Sequence, residues 1–413
     1  DFNVFSDQMI ICPSVDWITM NDTIKKGSVV IIALEDLKMG NINVQKLFEP
    51  TIKQTVEDIS VTSNSILINI IDNINSRVIK YKYIDGNWRS ELVDLPSGGS
   101  IDIVDASNLR PEYFLTYESF TQPPTLYIEK NDGNLIEVMS MPSYFDASGC
   151  EVKQYEAVSA DGTAVPYFII QRKDIVADGS NPVIMYGYGG FQISEIPYYS
   201  ATTGKLWVEK GRAYVIANIR GGGEFGPGWH KAAIKENKQK SYDDFIAVAE
   251  DLIRRKITTP SGLGITGGSN GGLLVGAVML QRPDLFNAVV SKSPLLDMQR
   301  YSKLLAGQSW VAEYGDPDVP EQWEYIKKYS PYQNVVPGKK YPAVLFLTST
   351  RDDRVHPGHA RKMTAKMQDS GAKVYLFENT EGGHSGSYTP EQRAHNIAMT
   401  LSFFMDQIDK ENQ

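Results

Sequence analysis

An apolar run, Leu263-Gly-Ile-Thr266, stops at Gly267-Gly-Ser-Asn-Gly271 and passes at once into a helix-forming segment that reaches Arg282. A strand that turns straight into a helix at Gly-x-Ser-x-Gly tolerates only tiny side chains beside the turn. Glycine supplies both the strained dihedrals and the close approach of strand to helix. The Ser269 hydroxyl is therefore expected to project from the carboxyl edge of a sheet, as a nucleophile does. Taken alone, the string is a glycine-rich turn with an incidental serine. Its setting between strand and helix is what points to acyl transfer.

The chain around this turn has two halves. Its 413 residues exceed one ordinary core, so two domains are expected. Up to about residue 148 it reads as β throughout. Short Ile-, Val- and Tyr-rich runs such as Ser28–Leu34, Ser65–Ile71 and Arg77–Tyr83 alternate with Asn, Pro and Asp-Gly turns. A weak repeat runs through it. Arg77 to Leu95 reads strand, Asp85-Gly86-Asn87, strand, and Thr125 to Met141 repeats this around Asp132-Gly133-Asn134. The strands preceding them, Ile66–Ile71 and Glu112–Tyr117, sit in matching places. A period of about 45 to 50 residues suits four-stranded propeller blades. A β-sandwich with ordinary hairpins is the alternative. Residues 1–148 hold about three blades' worth of chain, whereas a closed ring needs about four to eight. The expectation is an incomplete β-propeller whose upstream blades lie outside this chain.

From about residue 149 to residue 413, apolar strands alternate with amphipathic helices, the pattern of a mostly parallel sheet flanked by helices. Strands are predicted over Pro182–Tyr186, Ala213–Asn218, Leu263–Thr266, Ala288–Ser291, Ala343–Thr348 and Lys373–Phe377. Helices are predicted over Tyr242–Lys256, Gly271–Arg282, Gly358–Ser370 and Thr389–Ile408. Together with the serine turn, this predicts an α/β-hydrolase domain. The best boundary between the halves is 142–149.

A serine nucleophile of this kind takes an acid and a histidine that follow it in the chain. Of five histidines, His230 precedes the turn and His395 lies within the C-terminal helix. His356 and His359 stand too close to the Asp352 loop to serve its acid. His384, in Glu381-Gly-Gly-His384-Ser-Gly386 after the last strand, is placed to act as general base. Asp352 and Asp353, in the loop after Ala343–Thr348, are the candidate acids, with Asp297 as runner-up; spacing alone does not choose between the first two.

Gly221-Gly-Gly-Glu-Phe-Gly226 matches the dinucleotide-binding string G-x-G-x-x-G. Pro227 and Gly228 follow it, so no helix N-terminus is expected to hold a pyrophosphate, and no acidic residue ends the next strand. A tight loop beside the active site is the better reading. A net charge of −9 without a Lys/Arg block argues against nucleic acid. No apolar run is long enough to span a bilayer. Two cysteines, Cys12 and Cys150, read as buried or half-buried thiols and provide neither a disulfide framework nor a Cys-based zinc site. No metal or cofactor is implied.

These residues resemble the prolyl oligopeptidase family of serine peptidases. The likeness runs from about Tyr155 to the C-terminus and is carried by Tyr186-Gly-Tyr-Gly-Gly-Phe191, Ala217-Asn-Ile-Arg-Gly-Gly-Gly-Glu224, Gly267–Gly272, Arg282-Pro-Asp-Leu-Phe286, Asp352-Asp-Arg-Val355 and Gly382-Gly-His384. The first half resembles, more weakly, the closing blades of that family's seven-bladed propeller. The resemblance implies that Asp352 is the acid, that Tyr188 and the Asn270 amide receive the oxyanion, and that Arg354 binds a substrate carbonyl. It places Trp310, Tyr314, Phe191 and Val355 around a proline-binding pocket, where a flat indole can stack on a pyrrolidine ring. Glu313 would be the residue to raise for a basic side chain instead.

The expected function is a serine oligopeptidase that cuts short peptides after proline through Ser269, His384 and Asp352. The alternatives are an oligopeptidase with basic-residue specificity, an esterase, and a catalytically silent binding module. The expected partners are short proline-containing peptides and, because the chain begins at Asp1, a missing N-terminal fragment of the same protein. The cytoplasm is the favoured compartment; a periplasmic or secreted location stays open for the same reason.

Overall fold

The computed structural model describes residues 2–19 and 22–408. Two compact units divide the chain, Asp1–Ser143 with Ile196–Ser200 and Glu224–Gly226, and Tyr144–Glu195 with Ala201–Gly223 and Pro227–Gln413. The division falls a few residues before 148, and two short pieces of the second half group with the first unit.

The first unit holds three four-stranded antiparallel sheets, consecutive in the chain. The first is made of Phe2–Phe5, Gln8–Ile11, Val29–Ala33 and Gln45–Phe48. The second is Gln54–Val61, Ile66–Asp72, Asn75–Ile84 and Asn87–Leu92. The third is Gly99–Asp105, Tyr113–Ser119, Thr125–Glu129 and Leu135–Ser140. They are propeller blades rather than a sandwich. The Asp85-Gly86 turn sits at φ 51° and 80°, both positive as a two-residue hairpin of this kind demands. It and the Asp132-Gly133 turn join the last two strands of their sheets, which is why the repeat was visible. Leu34 is not strand; it opens a short helix, Leu34–Lys38.

Alternation explains why the middle sheet is buried on both faces. Ile66, Ile68 and Ile70 join Ile10, Val29 and Ile31 of the first sheet, while Leu67 joins Ile101, Tyr113 and Leu115 of the third. The second and third sheets also share a polar clamp. The buried Lys80 ammonium pairs with Glu129, whose other oxygen accepts from the Tyr113 hydroxyl at 2.6 Å. A charge taken out of water is tolerated only with such partners.

The second unit is built on one eight-stranded sheet. Its strands are β1 (Cys150–Val158), β2 (Ala164–Arg172), β3 (Val183–Gly187), β4 (Ala213–Ala217), β5 (Leu263–Gly268), β6 (Ala288–Lys292), β7 (Ala343–Ser349) and β8 (Val374–Asn379). The spatial order is β1-β2-β4-β3-β5-β6-β7-β8, antiparallel through β2 and β4 and parallel from there on. The main helices are α1 (Gln239–Arg254), α2 (Asn270–Gln281), α3 (Gly358–Asp369) and α4 (Pro390–Ile408). Along β5, Leu263 and Ile265 belong to the core that includes α2, whereas Gly264 stands where a Cβ would meet Phe404 of α4 at 2.5 Å. Alternate residues of a strand face opposite ways, so helices cover both faces of the sheet. All chemistry is left at the strand ends. Cys150 is buried and Cys12 partly buried, and neither is in a disulfide. Among the described residues, no helix is long and apolar enough to cross a membrane.

Candidate active site

The turn after β5 is held by backbone packing. A Cβ on Gly267 would sit 2.3 Å from the Gly271 carbonyl oxygen, and one on Gly271 would sit 2.6 Å from that of Gly187. Ser269 itself lies at φ 55°, ψ −116°, a conformation that L-residues seldom adopt. Its N–H donates to the Lys292 carbonyl at 2.8 Å, which pins the turn to the end of β6. Asn270 occupies the first position of α2, where no earlier helix carbonyl can accept its amide.

The loop after β7 separates the two neighbouring aspartates by burial. Asp352 is buried and Asp353 exposed. The Asp352 Oδ1 accepts from the amides of Arg354 and Val355, each at 2.9 Å. Its two oxygens lie 3.0 and 2.9 Å from His384 Nδ1. Burial alone would raise the Asp352 carboxyl; the imidazole and the two amides outweigh it and hold the carboxyl below its usual range. Asp297 is occupied elsewhere, bound by Lys362, Gln333 and Arg300.

His384 sits in a loop held by side chains. The Ser293 hydroxyl donates to the His384 carbonyl at 3.0 Å, and the Asn379 and Asn396 amides both donate to the Gly386 carbonyl at 2.9 Å. Ser269 and His384 line one cavity, without a hydrogen bond between the hydroxyl and the imidazole. The other histidines lie apart from this pair. His359 accepts backbone N–H groups from Leu296 and Asp297, and burial lowers it to about 4. His356 accepts from the Gly358 amide, and His395 rests against the Phe377 ring.

Tyr188 follows β3. Burial pushes its phenol up, against smaller opposing pulls from the Ser269 hydroxyl and the Arg354 charge, so it keeps its proton to donate. Its backbone carbonyl accepts from the Asn270 side chain, whose Oδ1 accepts from the Tyr314 hydroxyl at 2.8 Å. Phe191 meets Tyr314 edge to face at 5.7 Å. Trp310, Tyr314 and Val355 are buried in one apolar cluster against which Phe191 packs. Exposed Arg354 ties its carbonyl to the amide of Ala306, in the segment that leads to Trp310.

Sequence reasoning missed what lies behind Tyr314. Glu313 is buried, bonded to Lys238 at 2.9 Å and to His230 at 2.7 Å. Lys238 also donates to the Gly189 carbonyl at 2.9 Å and lies over the Tyr314 ring at 5.5 Å. Lys238 stands in the charged run Lys235-Glu-Asn-Lys-Gln-Lys240 and is nonetheless fully buried. No local pattern reveals that.

The glycine loop at 221–223 needs one correction. A short helix, Pro227–Lys231, does begin just after it. The glycines serve packing all the same. A Cβ on Gly221 would lie 2.4 Å from the Gly189 oxygen, and one on Gly223 2.3 Å from that of Gln192. Arg220, held by Asp244 and Asp161 at 2.6 Å each, fixes the start of the loop, and the Gly221 carbonyl accepts from the Gln192 amide at 3.2 Å. The space a pyrophosphate would need is filled by backbone.

A sheet in this order, with a strained serine after β5, an acid after β7 and a histidine after β8, defines an α/β-hydrolase of the serine-hydrolase class. Comparison with known proteins narrows this. The family model described as "Prolyl oligopeptidase family" matches residues 197–411, and that described as "Prolyl oligopeptidase, N-terminal beta-propeller domain" matches residues 15–141. An uncharacterised peptidase of Sinorhizobium fredii is 43% identical over 98% of this chain and 56% of its own length. A prolyl endopeptidase of Elizabethkingia miricola is 37% identical over 78% of this chain and 46% of its own. Among solved structures, a post-proline cleaving enzyme from Rickettsia typhi superposes with a TM-score of 0.91 at 36% identity, over 98% of this chain and 60% of that one. The chain belongs to the prolyl oligopeptidase family of serine peptidases. It spans a little over half the length of the Sinorhizobium relative and less than half that of the Elizabethkingia enzyme.

Proposed function

We propose that this chain carries the hydrolytic centre of an oligopeptidase that cuts short peptides on the carboxyl side of proline. Ser269 attacks the proline carbonyl while His384 takes its proton and Asp352 holds the imidazole. The Tyr188 hydroxyl and the Asn270 amide receive the developing oxyanion, a contribution of roughly 3–4 kcal/mol per donor. His384 then protonates the departing amine, and water releases the acyl group by the reverse sequence. Arg354 holds a substrate carbonyl on the acyl side.

The observation that carries the proline assignment is the state of Glu313. A basic side chain would need that carboxylate, and it is turned into the core and held by Lys238 and His230. What remains toward the acyl side is the apolar cluster of Trp310, Tyr314 and Val355, with the partly buried Phe191 packed against it. The prolyl endopeptidases and the post-proline cleaving enzyme among the relatives support the same reading. The test is a panel of chromogenic peptides differing only at the residue before the scissile bond, with Ser269→Ala as control. Proline is expected to be fastest, and Ser269→Ala to lose at least about 10³-fold in kcat while folding normally. Faster release after arginine would overturn the specificity, and retained activity in Ser269→Ala would overturn the nucleophile.

A further inference from the structure

The cavity shared by Ser269 and His384 has a volume of about 310 Å³, within the range of small-ligand sites. It is bounded by the ends of β6 and β7, the loop at 384–387 and α4. None of the acyl-side residues named above, Trp310, Tyr314, Phe191, Val355 or Arg354, lines it. Its lining is one-sided in charge. Lys292, the last residue of β6, and Arg393 of α4 both face it, and no aspartate or glutamate does. Among the described residues, neither cation has an ion-pair partner. Leu347, Phe377 and Ile397 supply an apolar wall. Burial without a counter-charge disfavours an ammonium, and the Lys292 amine is accordingly brought down to about 8.

The side of the nucleophile on which this cavity lies follows from the proton path. His384 takes the Ser269 proton and gives it to the leaving amine, so the leaving peptide departs on the imidazole side. A cavity lined by both residues, and by none of the acyl-side wall, stands on that side. We infer that it receives a carboxylate of the leaving peptide, held by Lys292 and Arg393. The inference rests on the proposed role of Ser269 and His384. The carboxylate has two sources, the free C-terminus of a short leaving peptide or an Asp or Glu side chain just beyond the scissile bond.

Four peptides identical through the proline and differing beyond it separate the outcomes. One ends in a free carboxylate shortly after the scissile bond and one in the matching amide; two further amides carry Glu or Gln after the bond. A prolyl p-nitroanilide, which has no residue beyond the bond, serves as reference. A charge-assisted contact is expected to raise kcat/KM for at least one acid over its neutral partner by about tenfold or more. Lys292→Met should bring that ratio close to one, and Lys292→Arg should keep most of it. A gain confined to the free terminus assigns the site to chain ends, and a gain confined to Glu assigns it to side chains. Equal rates for acid and neutral peptides, or a ratio unchanged in Lys292→Met, overturn the carboxylate site while leaving the peptidase reading intact. Failure to cut the p-nitroanilide overturns the peptidase reading, and the site with it.

Discussion

The turn that carries Ser269 and the loop that carries His384 meet at one cavity but are held in place by different physics. At the turn the neighbours of Gly267 and Gly271 are main-chain atoms at distances no Cβ can occupy, and the serine is locked in a strained conformation. At the loop the restraints are hydrogen bonds, among them those from Ser293, Asn379 and Asn396. The first arrangement is steric and cannot relax; the second is polar and can lose one member. Ser269 is thus built into the sheet, while His384 is tethered to it.

Substitution should expose this contrast. Gly267→Ala places a methyl group against the backbone of Gly271, which no side-chain rotation can relieve. Overpacking of this kind costs about 1–3 kcal/mol, and, in the proposed mechanism, displacing Ser269 by about an ångström costs roughly 10²-fold in rate. A thermal melt and a kcat measurement should therefore fall together, and a variant with normal values for both would break the steric account.

His359 gives a second contrast, since it is a histidine held by the fold rather than offered to chemistry. Its folded value, lowered to about 4 by burial, lies below its unfolded value of about 6.5. The unfolded chain binds the proton more readily in that window. The stability contribution is therefore complete above about pH 6.5 and is lost as pH falls toward 4, by about 3 kcal/mol. His359→Gln, which keeps an acceptor for the Leu296 and Asp297 amides, should flatten that part of the curve of melting temperature against pH. An unchanged slope would remove His359 from the account.

The smallest effect is expected at the loop. Asn396→Ala removes one of two donors to the Gly386 carbonyl, a net loss of about 0.5–1.5 kcal/mol. That corresponds to a few-fold drop in kcat/KM with the melting temperature nearly unchanged. A loss as large as that of Gly267→Ala would show that the two segments are held alike.

Much of this architecture was legible in the chain. The parallel strands and the helices between them announced themselves because each is an apolar run of the right length bounded by turn residues. The blades were harder. Only their Asp-Gly hairpins repeat clearly, and a continuous run such as Ile66–Ile71 does not say that its two faces meet two different sheets. Within the site, chain order and the strand-to-helix setting singled out Ser269 and His384 locally. Asp352 and Asp353 look equivalent in sequence, and only the fold buries one and exposes the other. Glu313 looked available to a basic substrate until packing supplied Lys238 and His230.

By itself, then, the sequence determined the kind of sheet, the turn that strains Ser269, and the order in which that serine, the aspartate loop and the His384 loop follow their strands, because these depend on residues adjacent in the chain. Which carboxylate is held beneath the imidazole, which lysine is buried behind Tyr314 and which, among the described residues, stays without an ion-pair partner beside Ser269 were decided only by the tertiary structure. The reason is physical. A charge's fate depends on how much water and which partners surround it, and those partners, 75 residues apart for Lys238 and Glu313 and 32 for Asp352 and His384, are brought together only by the folded sheet.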